Sequence, residues 1–445
     1  MPHRRLAIAV AALLTAALPA SARADAGAGQ VTTAAVPGEV VVTYAKGADE
    51  AKIERSAGVG GGRTVTTRTR LLKIRDGRSV AATLGELRSE PGVKSAAPNA
   101  IAHASVWIPR DPGRTHRPGG WQGTQWNFDG PFGVDAPDAW NNLILDGHPG
   151  GRGVTVAVLD TGVAYENHGR FRRSPDFHPS HFVHPYDFVD GDRHPDDENG
   201  HGTHVAGTIN EATGNTIGVT GLAYGADIMP VRVLDRVGEG DSVTISDGIR
   251  YAVRHGADVI NLSFEFDPST SRRDVPDLLS ALRYARHHGV LVVAASGNSG
   301  RNSLAYPARA PSVLSVGATT EHGCEADYSN SGAHLDIVAP GGGPDARLPG
   351  DPNCHPDGPD GQDIFQMTYR GSSRSFGLPR GYVGTSMAAP HVSATAALVI
   401  ASGVIGSHPS PAAVERRLRD TARQLGPERH YGAGLVDAAA ATAAG

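Results

Sequence analysis

Short apolar runs bounded by glycine, proline and polar clusters recur along most of this chain and alternate with longer stretches suited to helices. Val154–Leu159, Ile228–Val233, Val259–Leu262, Val290–Ala295, Val313–Val316 and Leu335–Val338 are apolar almost without interruption, as strands buried on both faces require. Helices are expected over Ser246–His255, Pro276–His288 and Pro411–Arg423, with an opening helix after Pro137. Buried strands alternating with helices predict an α/β fold: a doubly wound, mostly parallel sheet flanked by helices, binding ligands beyond the carboxyl ends of its strands. The most sustained apolar stretch starts at Ser386 and continues to about Gly403 with almost no charge. It predicts a helix buried on all sides, with Pro390 tolerated in its first turn.

The first hundred residues are patterned differently. Glu39–Tyr44, Leu71–Ile74 and Val93–Ala97 read as strands, Ile53 sits in a helix-like piece, Gly60–Gly62 reads as a turn and Val80–Leu87 as a helix. This is a small α+β unit. Ahead of it, Arg4 and Arg5 precede an apolar stretch, Leu6–Leu18, and small residues follow at Ala20, Ala22 and Ala24. That is the pattern of a secretory signal peptide, too short for a stable membrane span. No later segment reaches about 18 uninterrupted apolar residues, so a secreted, extracellular protein without a membrane anchor is expected. Pro109–Gly120, rich in Pro, Gly and Arg, reads as linker. The expected organisation is a signal peptide over 1–24, the α+β unit over 25–104, a linker or N-terminal arm over 105–124 and the α/β domain over 125–445.

A net charge of −5 argues against a nucleic-acid partner held by charge. The two cysteines, Cys324 and Cys354, are compatible with one disulfide in an oxidising compartment. Candidate chemistry lies where small residues surround polar ones. Ser386 opens the apolar helix, where N–H groups and the helix dipole favour negative charge; alone, such a serine is an ordinary N-cap. A hydroxyl nucleophile needs a base and the base an acidic orienter. Asp160 ends the run Val154–Leu159, and His201 opens HGTHVAG, so the chain order is Asp, His, Ser.

DTGV at Asp160–Val163, HGTHVAG at His201–Gly207 and GTSMAAP at Gly384–Pro390 resemble the three signature blocks of the subtilase (subtilisin-like) serine proteases. A fourth block, AASGNSG at Ala294–Gly300, resembles that family's oxyanion-hole segment. The resemblance covers roughly residues 125–445 and closes on YGAGLVDAAAA at Tyr431–Ala441. It implies a serine endopeptidase that needs no cofactor for chemistry, with Ser386 as nucleophile, His201 as general base, Asp160 as orienter and Asn298 as oxyanion donor. It also implies that the α+β unit is an inhibitory propeptide that assists folding, cut near Ala102–Ser105. The implied partners are protein or peptide substrates and the chain's own propeptide, and the implied state is monomeric.

The family's calcium loop is resembled by TGNTIGV at Thr213–Val219, where Asn215 matches the ligand Asn and Asp176 the distant Asp. Structural calcium is therefore expected, and Asp187, Asp190, Asp192 and Asp197 offer oxygens for a second site. His204 matches a structural histidine of the family; His178, His181, His184 and His194 cluster in an acidic loop that reads as a solvated insertion or a transition-metal site. Leu262, Ser263 and Phe264 resemble the strand that pairs with substrate backbone. Glu265 stands where the family often has Gly, which leaves side-chain preference open between basic and broad. Gly342–Tyr382 is a long insertion that a Cys324–Cys354 bridge would tie down. Two other readings remain: a processing protease dedicated to one partner, and a self-cleaving protein that stays inhibited and acts as a binding module.

Overall fold

The computed structural model describes residues 35–100 and 107–444, which belong to two compact units divided between Ala104 and Ser105. The expected signal peptide and the expected cleavage region at Ala102–Ser105 lie outside the described residues.

The first unit runs β1 (Ala35–Tyr44), α1 (Glu50–Ser56), β2 (Val59–Thr66), β3 (Thr69–Ile74), α2 (Val80–Ser89) and β4 (Val93–Ala100). Its sheet is antiparallel in the order β2-β3-β1-β4. Val40, Val42 and Tyr44 alternate inward from β1 and meet Ile53, Leu84 and Leu87 of the helices. Asp49 and Ser79 cap those helices by accepting from the N–H groups of Lys52 and Ala82. The expected turn at Gly60–Gly62 is instead part of β2. Pairing with β3 shifts register between Gly60 and Arg63, and a Cβ on Gly62 would strike the Leu71 carbonyl, so the glycine triplet marks a bulge and close backbone approach.

The second unit is built on seven strands: β5 (Thr155–Asp160), β6 (Tyr186–Asp187), β7 (Asp227–Arg232), β8 (Val259–Leu262), β9 (Leu291–Ala295), β10 (Leu314–Thr319) and β11 (Ile337–Pro340). They lie in the order β11-β10-β9-β8-β5-β7-β6, and every neighbouring pair is parallel. The uninterrupted apolar runs now have a physical reason. Val156 and Val158 face one core while Ala157 and Leu159 face the other, and β9 divides Leu291, Val293 and Ala295 from Val292 and Ala294 in the same way.

Helices cover both faces. They are α3 (Trp126–Asp129), α4 (Ala136–Leu145), α5 (His201–Asn210), α6 (Ser242–Arg254), α7 (Pro276–His287), α8 (Thr385–Ser402), α9 (Pro411–Asp420), α10 (Glu428–Tyr431) and α11 (Ala438–Thr442). Trp140 of α4, Val205 of α5 and Leu398 of α8 fill the first core; Ile249 of α6 and Leu282 of α7 fill the second. Among the described residues no helix is long and apolar enough to cross a membrane. Strand order reverses at β5, which has β7 on one side and β8 on the other. Such a switch point opens a crevice at the carboxyl ends of the strands, and Asp160 and Ser263 stand at its two sides.

Two local expectations are corrected. Because α8 begins at Thr385, Pro390 falls in the second turn and not the first. Its missing N–H frees the carbonyl of Ser386, four residues earlier, and Ser263 Oγ donates to that oxygen at 2.8 Å. A carbonyl left unpaired away from water costs about 1–3 kcal/mol, so this bond makes the proline tolerable and ties the end of β8 to the turn carrying Ser386. The segment read as linker is docked on its own unit: Trp121 Nε1 donates to the Pro109 carbonyl at 3.0 Å, and Asp111 is fully buried. The insertion Gly342–Tyr382 holds a hairpin, β12 (Thr368–Ser372) and β13 (Ser375–Gly377), and Cys354 within it is bonded to Cys324. It buttresses the start of α5, with Thr368 Oγ1 donating to Gly200 O at 2.6 Å and Tyr369 OH to Asp197 O at 2.8 Å.

Candidate active site

Asp160 is the last residue of β5, buried at the centre of the sheet edge. Its Oδ1 accepts from Thr161 N–H and from His201 Nδ1, each at 2.7 Å. His201 is the first residue of α5, placed there by Gly200, whose φ of 102° is a left-handed conformation that only glycine adopts freely. The next residue must also be glycine. A Cβ on Gly202 would collide with the Gly162 carbonyl and approach Asp160 Oδ1 to 3.1 Å, so the small residue allows the two blocks to touch. Nδ1 of His201 therefore carries the proton and donates to Asp160, which leaves Nε2 as the basic nitrogen at the partly exposed edge of the ring (27 % of the side chain).

Burial works against a charged imidazole here, but the neighbouring Asp160 carboxylate, its hydrogen bond and the further charge of Asp197 outweigh it. The pKa of His201 lies above the ordinary histidine value as a result. A base must be neutral to accept a proton, so the acid limb of kcat/KM should have its midpoint above about pH 6.5. Rate should fall about tenfold per pH unit below that midpoint. A pH–rate profile flat down to pH 5, or rising with acidity, would remove His201 as the base.

Ser386 is the second residue of α8. The structure records no hydrogen bond between its Oγ and His201; the turn that carries it is held by its neighbours. Asn298 Oδ1 accepts from Thr385 N–H at 2.8 Å and from Thr385 Oγ1 at 2.9 Å. That arrangement occupies Oδ1 and leaves Nδ2 of the exposed Asn298 without a protein partner among the described residues. Thr385 is a positioning residue that the sequence reading did not single out, although it lies inside the GTS block. Ser386 N–H, at a helix N-terminus, is a second donor of the right kind.

Of the three residues expected to meet substrate, the first, Leu262, lies within the sheet. It is fully buried, and its backbone is paired with Leu159 and Ala294 inside the sheet. Ser263 uses its hydroxyl on the Ser386 carbonyl and accepts from Asn261 Nδ2 at 2.9 Å, while Phe264 is half-buried against the second core. Glu265 turns inward and not to solvent. Its Oε1 accepts from Asn298 N–H at 2.9 Å, and its Oε2 is buried without a hydrogen-bond partner.

The calcium expectation gains a residue. Asp176 Oδ1 accepts from Asn215 Nδ2 at 2.7 Å and Oδ2 from Val219 N–H at 3.0 Å. Asp111, missed because its Pro- and Gly-rich surroundings read as linker, accepts from Gly214 and Asn215 N–H at 2.7 and 3.0 Å on the same loop. Burial pushes Asp176 up to about 8 and raises Asp111 as well. Glu211, fully buried beside them with Oε2 unpartnered, is raised by burial and then by Asp176. Buried carboxylates gathered on one turn, with no cationic side chain bonded to Asp111 or Asp176 among the described residues, are a hard oxygen donor set suited to calcium.

The acidic residues offered for a second site are engaged within the protein, Asp192 by accepting from His194 N–H at 2.8 Å. Arg232, 3 % exposed, bonds Asp187 and Asp190 at 2.9 Å each, and Asp197 accepts from Thr161, Thr203 and the Asn199 and Gly200 N–H groups. Of the four histidines in this loop, His181 meets Asp227, His194 meets Glu166 and His184 faces His255, while His178 bonds the Ser180 hydroxyl and lies edge-on to His181. His204 donates from Nε2 to Ile364 O at 3.0 Å and stacks on Tyr382, and burial pushes its pKa down to about 3. It is a neutral structural histidine.

Comparison with known proteins bears on the same residues. The sequence profile of the Subtilase family matches residues 151–434, and that of the fervidolysin N-terminal prodomain matches residues 21–99. Subtilisin Savinase of Lederbergia lenta is 40% identical over 309 residues, covering 69% of this chain and 96% of that protein. The thermophilic serine proteinase of a Bacillus species (strain AK1) is 35% identical over 374 residues, 83% of this chain and 79% of its own length. A solved structure described as proteases from Pseudoalteromonas arctica superposes with a TM-score of 0.60 at 31% identity, covering 76% of this chain and 99% of that one.

Proposed function

The chain belongs to the subtilase family of serine endopeptidases and carries that family's type of N-terminal prodomain, and from this premise we propose that it is a secreted protease made as a self-processed zymogen. The observation that carries the reading is the Asp160–His201 contact at 2.7 Å, set at the switch point of a parallel sheet whose β8 end is tied through Ser263 to the turn that holds Ser386.

In this reading His201 Nε2 takes the Ser386 proton as Oγ attacks a peptide carbonyl, and Asp160 stabilises the imidazolium that forms. Asn298 Nδ2 and Ser386 N–H receive the oxyanion. Nε2 then returns the proton to the leaving amine, and water repeats the cycle on the acyl-enzyme. A covalent organophosphonate is the direct test. It should add one label per molecule, on the peptide containing Ser386, and casein hydrolysis should fall in step with labelling. Labelling elsewhere, or full activity after stoichiometric labelling, would overturn the assignment.

Secretion is supported by the residue pattern of positions 1–24, and the prodomain boundary by the division between Ala104 and Ser105. Structural calcium would be held by Asp111, Asp176 and Asn215, where it neutralises buried carboxylates and takes no part in the reaction. Calcium at a hundred times its Kd would add about 2.7 kcal/mol to stability. Chelation should therefore lower the Tm of the inactivated enzyme, and Asp176→Asn with Asp111→Asn should abolish the difference between calcium and chelator. Equal melting of the parent protein under both conditions would exclude the site.

A further inference from the structure

We propose that His322, Asp345 and His355 form a site for a zinc-class transition-metal ion, assembled where the Cys324–Cys354 bridge joins two loops that are distant in sequence. His322 lies two residues before Cys324 and His355 directly follows Cys354, so the disulfide that holds the insertion also brings the two imidazoles together. Asp345 stands between them with 1 % of its side chain exposed.

The distances suit such an ion. Nδ1 of His322 is 3.1 Å and Nδ1 of His355 is 3.8 Å from the same oxygen, Asp345 Oδ2. One ligand atom from each of the three residues lies within 4.8 Å of the others. Zinc bonds of about 2.0–2.1 Å to nitrogen and oxygen imply tetrahedral edges of about 3.3–3.5 Å. Two of the edges already bracket that value, and the third closes by rotation of the exposed His355 ring, 61 % of which faces solvent.

His322 Nδ1 hydrogen-bonds Asp345 Oδ1 and Oδ2 at 3.2 and 3.1 Å, a proton that a bound ion would replace, and the surroundings are arranged for that exchange. Asp345 is already oriented from behind, since Thr320 Oγ1 donates to Oδ1 at 2.5 Å and His355 N–H donates to Oδ2 at 2.7 Å. Fixing a carboxylate in this way is the task of outer-shell partners in metal sites. The His355 ring makes no hydrogen bond among the described residues, yet it is held beside a buried carboxylate. Two imidazoles and one carboxylate select zinc, copper or nickel over calcium, in contrast to the all-oxygen set around Asp111 and Asp176. An ion here would be a second clamp on the insertion, parallel to the disulfide. The insertion in turn supports α5 through Ile364 and Thr368, so the expected consequence is stability and not chemistry.

The test uses the full chain bearing Ser386→Ala, saturated with calcium, and zinc alone as the probe. Calorimetric titration and thermal melting should show a zinc-binding step and a zinc-dependent rise in Tm. His355→Ala, an exposed position where folding is not at risk, should weaken that step at least tenfold and remove the rise; His322→Ala should do the same. Cobalt in place of zinc should give the intense visible bands of tetrahedral coordination, lost in His355→Ala. The proposal fails if the parent shows no zinc-dependent change. It also fails if His355→Ala responds as the parent does, or if the response is lost only on His168→Ala, at the stacked His168–His194 pair.

Discussion

Ser386→Ala is expected to lower kcat by a factor on the order of 10⁶, a magnitude taken from subtilisin itself, while leaving the fold unchanged. The hydroxyl is the only group removed, and no hydrogen bond from Ser386 Oγ supports the structure among the described residues; the turn is held by Thr385, Asn298 and Ser263. Tm should therefore move little. The loss in kcat should not be additive with His201→Ala, because nucleophile and base act as one unit. The same variant tests self-processing. Intact mass of the secreted protein should show a mature chain beginning near residue 105 for the wild type and a retained prodomain for Ser386→Ala. If both proteins are cut at the same place, another protease matures the chain and the self-processing claim falls, leaving the enzyme assignment to the kinetics alone.

Legibility in the sequence followed physical range. The six apolar runs became strands, five of them within two residues at each end and β10 running three residues further, because a strand buried on both faces has no polar position to blur its ends. Asp160, His201, Ser386 and Asn298 were visible because each sits in a contiguous small-residue block. What escaped depends on contacts far apart in the chain. Asp111 and Asn215 are 104 residues apart and meet only after the N-terminal arm docks. His322 and His355 are united by a disulfide, whereas three of the histidines that looked clustered, His181, His184 and His194, each found a separate acidic or aromatic partner. The α5 helix was not anticipated, since HGTHVAG has glycines that argue against a helix until its tight contact with Gly162 and Asp160 is known. Gly60–Gly62 shows the converse error: turn chemistry read locally, where the strand pairing used the same glycines for a bulge.

Asn298→Ala should reduce kcat by about 10²–10³ with KM nearly unchanged, a range that also derives from subtilisin. The reason lies in which atom of the amide is free. Oδ1 is engaged by both Thr385 donors, and the backbone N–H by Glu265, so Nδ2 is the donor left for charge that develops on the substrate oxygen. A ground-state carbonyl gains little from it, which is why binding should be spared. Two further variants separate donation from positioning. Thr385→Val removes one anchor of Oδ1 but keeps the N–H bond, so its loss in kcat should be intermediate. Glu265→Gln retains an acceptor for the Asn298 N–H and should leave kcat on neutral substrates close to wild type. Equal losses in kcat and in affinity for Asn298→Ala would assign the residue to substrate binding and transfer oxyanion stabilisation to the Ser386 N–H and the α8 terminus.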